Sequence, residues 1–196
     1  MNVTVGDLPP TFTTQSARAS GLHPRDLYKL RDRGEILELS RGVFRRADAP
    51  TPDWPDLLAV AYRSPVAVVC CVSALAVHDL TNEIPPAVQV AVPRPRRTPT
   101  IDHPPTQVFR FDTATFGLGL STIEAAPGET VRVYNAHRTV VDLMRLRHTL
   151  GEPLAFAALQ RYVRRRDARP GEVLDFARAL DVLGPVRTAL DIASAG

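Results

Sequence analysis

The stretch from Thr13 to Arg46, TTQSARASGLHPRDLYKLRDRGEILELSRGVFRR, carries in order the signals for a helix, a tight turn, a second helix and a basic hairpin. Thr14 is expected to cap the first helix, which continues through Gln15, Ser16, Ala17, Arg18 and Ala19. Gly21 then supplies the positive φ that two helices meeting at a sharp angle require. Pro24 suits the first position of the second helix, where its missing N–H costs nothing, and Gly34 stands where a C-terminal cap belongs. The segment Ile36 to Arg46 alternates around Gly42, so Ile36, Leu37 and Leu39 pair with Val43 and Phe44 as a wing. The layout is that of a winged helix-turn-helix.

At 100° per residue, Leu27, Leu30 and Arg31 fall on one side of the second helix, and Arg25, Tyr28, Lys29 and Asp32 on the other. One side packs and the other faces outward, the arrangement that lets a helix enter a DNA major groove about 12 Å wide. Arg25, near the helix N-terminus, is the foremost base-reading candidate, with Tyr28, Lys29 and Arg33 along the same helix. Arg41, Arg45 and Arg46 on the wing are expected to meet phosphates. Residues 17–46 hold eight basic side chains against four acids, a net of +4, whereas the whole chain is +3 with 24 basic and 21 acidic residues. The remaining residues therefore carry 16 basic against 17 acidic, and the positive field is concentrated on this block.

The length of 196 residues accommodates a small domain and an ordinary one, and 44% hydrophobic content suffices for a core. The longest apolar run, Val66 to Val72, is too short to span a bilayer, and a cytoplasmic location is expected. Cys70 and Cys71 are adjacent, where a mutual disulfide would be strained, so both are expected to be buried thiols. Three prolines in Ala47 to Pro55 predict a linker, which puts a DNA-binding domain at residues 1–50 and a second domain at 51–196. In the second, Asp53 is expected to cap a helix from Trp54 to about Tyr62, and another short helix starts at Ser73. Strands are expected at Val88 to Val92, Gln107 to Phe111, Leu120 to Ile123 and Thr130 to Tyr134.

From His137 to His148 the period becomes helical, with Val140, Val141 and Met144 on one face and Arg138, Arg145 and Arg147 expected nearer solvent. Further helices are expected over Glu152 to Arg166, Gly171 to Leu183 and Pro185 to Ile192. Strands followed by helices predict an α+β domain with a small sheet and a helical C-terminal part. The basic run Arg161, Arg164, Arg165 and Arg166 reads as a solvated helix end or as a docking patch for an acidic partner or DNA.

No residue pattern points to catalysis. The five histidines lack ligand spacing, so no metal or other cofactor is expected. His78 beside Asp79, and His137 five residues before Asp142, are the nearest approaches to acid-base pairs; a five-residue helical offset separates side chains by about 140°, and both read as structural. Gly119 with Ser121 lacks the Asp-x-Asp of a nucleotidyltransferase. The only lysine is Lys29, which disfavours an endonuclease built on a Glu-x-Lys pair. The expectation is a non-enzymatic protein.

The block from Phe12 to Arg46, followed by VCCVSALAVHDL (Val69 to Leu80) and AHRTVVDLMRLR (Ala136 to Arg147), resembles the AbiEi antitoxins of type IV toxin-antitoxin systems. The resemblance implies a phage-defence protein with two jobs. The N-terminal domain would bind promoter DNA at inverted repeats and repress its own operon, and the C-terminal domain would neutralise a nucleotidyltransferase-like toxin, directly or indirectly. A helix that many members place before Phe12 is expected here in a form abbreviated to Val5 through Pro10. The other readings are a stand-alone winged-helix regulator and a remnant of a winged-helix/endonuclease fusion.

Overall fold

The computed structural model describes residues 5–97 and 99–195. The chain forms two compact units. Unit 1 comprises Met1–Ala67, Pro99–Thr106 and Ile123–Val131; unit 2 comprises Val68–Thr98, Gln107–Thr122 and Arg132–Gly196.

Unit 1 opens with a 3-10 turn at Val5–Asp7, then strand β1 (Thr11–Thr13), helices α1 (Thr14–Ala19) and α2 (Pro24–Asp32), and strands β2 (Ile36–Ser40) and β3 (Val43–Arg46). The three strands form an antiparallel sheet in the order β1-β3-β2. The cap of α1 is Thr13 rather than Thr14. Thr13 Oγ1 accepts from the Ser16 N–H at 3.1 Å and Ser16 Oγ accepts from the Thr13 N–H at 2.9 Å, a reciprocal capping box. Gly21 has φ +92°, as the turn demands. Pro24 is the first residue of α2, and His23 Nδ1 accepts from the Arg25 N–H at 3.2 Å. At the other end the Gly34 N–H donates to Arg31 O and the Glu35 N–H to Leu30 O, the paired bonds of a Schellman cap, with Gly34 at φ +73°. Leu8, Phe12, Ala17, Leu22, Leu27, Ile36 and Phe44 make the core, with the Phe12 and Phe44 rings stacked at 6.0 Å.

The proline-rich stretch after β3 lies inside this unit. It leads into helix α3 (Pro55–Arg63), which packs on β2 and β3 through an apolar side that includes Leu57, Leu58 and Val60. Trp54 is the N-cap, with no side-chain cap bond, so Asp53 does not have the expected role.

Unit 2 holds β4 (Val68–Val69), α4 (Cys71–Val77), β5 (Val88–Pro93), β6 (Thr106–Phe111) and α5 (Thr113–Phe116), except that Thr106 belongs to unit 1. The hairpin of β7 (Leu120–Ala126) and β8 (Glu129–Tyr134) follows; residues 120–122 and 132–134 belong to unit 2 and residues 123–131 to unit 1. The sheet order is β6-β5-β4-β8-β7, with β4 antiparallel to β5 and parallel to β8. Among the described residues five helices follow: α6 (Ala136–Arg145), α7 (Arg147–Leu150), α8 (Glu152–Val163), α9 (Pro170–Ala179) and α10 (Leu183–Ala195). The fold is α+β, as the succession of strands and helices predicts.

Helix α6 is central, packed by α4, α8 and α9, and every residue from Arg138 to Met144 is buried. The expectation that Arg138 faces solvent is therefore overturned. Its guanidinium is 0% exposed and donates from Nε to Asp142 Oδ2 at 2.9 Å and from Nη1 to the Thr115 and Leu118 carbonyls. Arg145 closes on the other oxygen of Asp142 at 2.8 Å. Burial pushes the Asp142 carboxyl up while both guanidiniums pull it down. Cys70 and Cys71 are free, buried thiols, and burial pushes Cys70 well up.

Candidate nucleic-acid interface

The outward face of α2 is built by its own periodicity. Leu27 is buried and Leu30 half-buried, which leaves Arg25, Tyr28, Lys29 and Asp32 exposed along the opposite side. The Arg25 side chain has no hydrogen-bond or ion-pair partner among the described residues. Tyr28 is 52% exposed, and the Arg31 guanidinium lies 5.0 Å from its ring centroid. Arg31 is in turn bound to Glu38 at 3.0 Å and Asp32 at 3.1 Å, which raises its already high pKa, Glu38 contributing most. Lys29 pairs with Asp26 at 3.3 Å, and Arg33 approaches Glu35 at 3.8 Å; both pairs are solvent-exposed and worth little.

The wing differs from the sequence expectation. Arg45, expected on phosphate, is 2% exposed. Its Nη1 donates to Glu129 Oε2 at 2.5 Å and to Thr11 Oγ1 at 2.6 Å, and its Nη2 donates to the Pro50 carbonyl. The cause is what covers its face of the sheet: Phe44 points into the winged-helix core, so Arg45 points to the opposite face, where Thr11, Glu129 and the Pro50 carbonyl enclose it. Arg45 is thereby withdrawn from the DNA-contacting set. Arg46 is partly buried and donates to the Gly6 and Leu8 carbonyls, both at 3.0 Å, and through Nε and Nη2 to Asp48. It holds the Asp48 carboxyl below its usual range and ties the N-terminal turn to β3. Only Arg41, at the hairpin tip, remains exposed with a side chain that has no partner among the described residues.

Of the eight basic residues in 17–46, five are therefore matched by carboxylates, and Arg18, Arg25 and Arg41 are the uncompensated ones among the described residues. Arg18, exposed on the last turn of α1, had no assigned role in the sequence reading beyond its charge. Its signal was the absence of an acid within four residues on either side.

In unit 2, Arg161 and Arg165 are engaged. Arg161 donates to Asn82 Oδ1 at 2.9 Å; Arg165 binds Asp167 and the His78 carbonyl. Arg164 and Arg166 are exposed without partners among the described residues. His78 Nε2 lies 2.7 Å from the Tyr134 carbonyl, and burial lowers the imidazole pKa. His137 Nε2 approaches Glu172 at 3.6 Å, not Asp142, with its ring against Tyr162 and Phe176. Neither pair of acid-base residues considered from sequence is assembled.

Residues 6–47 match the family described as transcriptional regulator, AbiEi antitoxin. The N-terminal block matches the AbiEi antitoxin family. The match spans the 3-10 turn, both helices and the wing, and the rest of the chain lies outside it. The chain also resembles in fold the crystal structure of the RV2827C protein from Mycobacterium tuberculosis, with a TM-score of 0.65 and 14% identity. The likeness covers 94% of this chain and 72% of that one, and at such identity it concerns the fold alone. No curated protein matches the chain. Among the described residues, no helix is long and apolar enough to cross a membrane.

Proposed function

We propose that the chain is an antitoxin and transcriptional autorepressor that binds its own promoter through α2 and neutralises a nucleotidyltransferase-like toxin. The observation that carries the DNA-binding half is the exposed face of α2, where the Arg25 side chain has no partner among the described residues and stands beside Tyr28 and Lys29. The AbiEi match over the same residues supports it. A nine-residue helix is about 13 Å long and inserts end-on into a major groove. Arg25, in its first turn, suits a bidentate bond to guanine O6 and N7, and Tyr28 suits apolar contact with a thymine methyl. Arg18 and Arg41, on α1 and the hairpin tip, then serve phosphates, which position the protein without reading sequence. Two copies of this unit on inverted repeats give the operator its symmetry.

The antitoxin half rests on the family match and is assigned to residues beyond the winged helix. The test uses the full chain. Fluorescence anisotropy on the duplex upstream of its gene, against a shuffled duplex at several salt concentrations, should show a preference of about a thousandfold or more. Co-expression should restore growth of cells carrying the toxin. Equal affinity for both duplexes would defeat the repressor reading, and unrelieved growth arrest would defeat the antitoxin reading.

A further inference from the structure

Between Glu83 and Asp102 the chain has no acidic residue, and its only charged side chains there are Arg94, Arg96 and Arg97, in the run Pro93-Arg94-Pro95-Arg96-Arg97 that leaves β5 in unit 2. The backbone of this loop is fastened to one end of the sheet. The Arg96 N–H donates to the Pro93 carbonyl at 3.0 Å, closing a tight turn, and the Arg94 N–H donates to the Phe111 carbonyl at 2.9 Å. Arg110 Nη2, on the neighbouring strand β6, donates to the Arg94 carbonyl. Pro93 and Pro95 restrict φ at two positions of the run. The side chains of Arg94, Arg96 and Arg97, by contrast, are exposed and have no partner among the described residues.

A loop held in place with three guanidiniums and no counter-charge suits a partner that carries closely spaced negative charges. Its composition says which. A single-stranded nucleic acid is held by aromatic side chains on which its bases stack, and a protein by a desolvated apolar or aromatic centre. The loop has no aromatic residue, and among the described residues no exposed large apolar side chain lies in it or on β6. Guanidiniums alone suffice for a duplex, which carries one phosphate charge per about 1.7 Å of helix axis. The chain also joins this loop to the unit that carries α2. Three residues after Arg97 stands Thr100, in the segment Pro99–Thr106 of unit 1. Its carbonyl accepts from Arg63 at 3.4 Å, and the same guanidinium donates at 3.0 Å to the carbonyl of Arg41, at the tip of the wing.

We propose that the loop after β5 is a second DNA-backbone contact, in which Arg94, Arg96 and Arg97 bind phosphates of the duplex and read no base. It adds affinity and salt dependence to the sequence preference that α2 supplies. That the duplex includes the operator rests on the repressor reading above; the backbone contact itself does not.

Three full-length variants test it: the triple change Arg94→Ala, Arg96→Ala, Arg97→Ala; the double change Arg96→Ala, Arg97→Ala, which leaves Arg94 in its turn; and the triple change of the same residues to Lys, which keeps the charge. Each is titrated beside wild type by fluorescence anisotropy with the operator duplex, a shuffled duplex and a single strand, between about 50 and about 300 mM salt, with circular dichroism as the check on folding. At about 0.9 per phosphate contact, the slope of log affinity against log salt should fall on both duplexes by about 2–3 in the triple alanine variant and by about 1–2 in the double. The ratio of operator to shuffled affinity should stay within about twofold of wild type, and the lysine variant should keep the slope within about 0.5. Alanine variants whose slopes on both duplexes stay within about 0.3 of wild type would overturn the backbone contact, while a persisting operator preference would leave the repressor reading standing. A loss confined to the single strand would overturn it as well. If wild type binds both duplexes alike, the repressor reading fails and the fall in slope still decides the loop. If wild type binds neither duplex, both fall.

Discussion

Arg25, Arg45 and Arg138 share a side chain and differ in everything that surrounds it. Arg25 is exposed and its side chain has no partner among the described residues, whereas Arg45 and Arg138 are buried and each faces a carboxylate. For Arg138 the carboxylate is Asp142, itself 1% exposed, so removing the cation leaves that buried charge to Arg145 alone. Arg138→Met should lower stability by about 3 kcal/mol, the low end of the range for breaking one side of a buried pair because the second guanidinium stays. Adding Asp142→Leu should return a large part of that loss, as urea denaturation of wild type, single and double variants would show. Gly119 belongs to the same arrangement: at φ +70°, a Cβ there would stand 2.6 Å from Arg138 Cβ. His78 gives a pH dependence. Burial, the largest cause, lowers its pKa below the ordinary 6.5, so the folded protein holds the ring neutral while the unfolded chain protonates it. The stabilisation is complete above the unfolded value and is lost as pH falls through the folded one. The melting temperature should therefore fall from pH 7 toward pH 5, and His78→Gln should flatten that fall.

At the scale of elements, α2 and the wing behave differently. Helix α2 presents its outward residues as periodicity predicts, whereas the hairpin is fastened at both ends. The Gly42 carbonyl accepts from the Thr14 N–H and the Arg41 carbonyl from Arg63, while Arg46 ties the far end to the N-terminal turn. Arg41→Ala should reduce the slope of log affinity against log salt by about 0.9, one phosphate contact. Arg45→Met should leave the slope alone and lower the melting temperature, since it strands Glu129 and Thr11. The helix-turn-helix was readable because Gly21, Pro24 and Gly34 impose backbone geometry that few alternatives satisfy. Strand β1 was not: Thr11–Thr13 is too short to show alternation, and its partner β3 is thirty residues on. Arg45 was misplaced because a group that encloses its face of the sheet, Glu129, lies far along the chain. Arg138 eluded the helical period for a related reason. An amphipathic pattern shows which face is apolar, and neighbours decide whether the polar face is also covered.

At the scale of the whole molecule, the winged helix is completed by residues far along the chain. Glu129, which neutralises Arg45, and the segment Pro99–Thr106, whose His103 carbonyl accepts from Ser40 Oγ, both belong to unit 1. A fragment of residues 1–53 lacks both, and lacks as well the helix α3 that packs on β2 and β3, so Arg45 loses its carboxylate and its face of the sheet loses its cover. Its amide spectrum should show little dispersion where the full chain is folded. DNA binding is thus a property to measure in the intact protein. The most direct measurement is the affinity of full-length Arg25→Ala for its operator and for shuffled DNA, beside wild type. Loss of a bidentate base contact predicts about 1–3 kcal/mol weaker operator binding, relaxed preference at one base pair and little change on shuffled DNA. Wild-type affinity of Arg25→Ala for both duplexes would contradict the assignment of α2 as the reading helix.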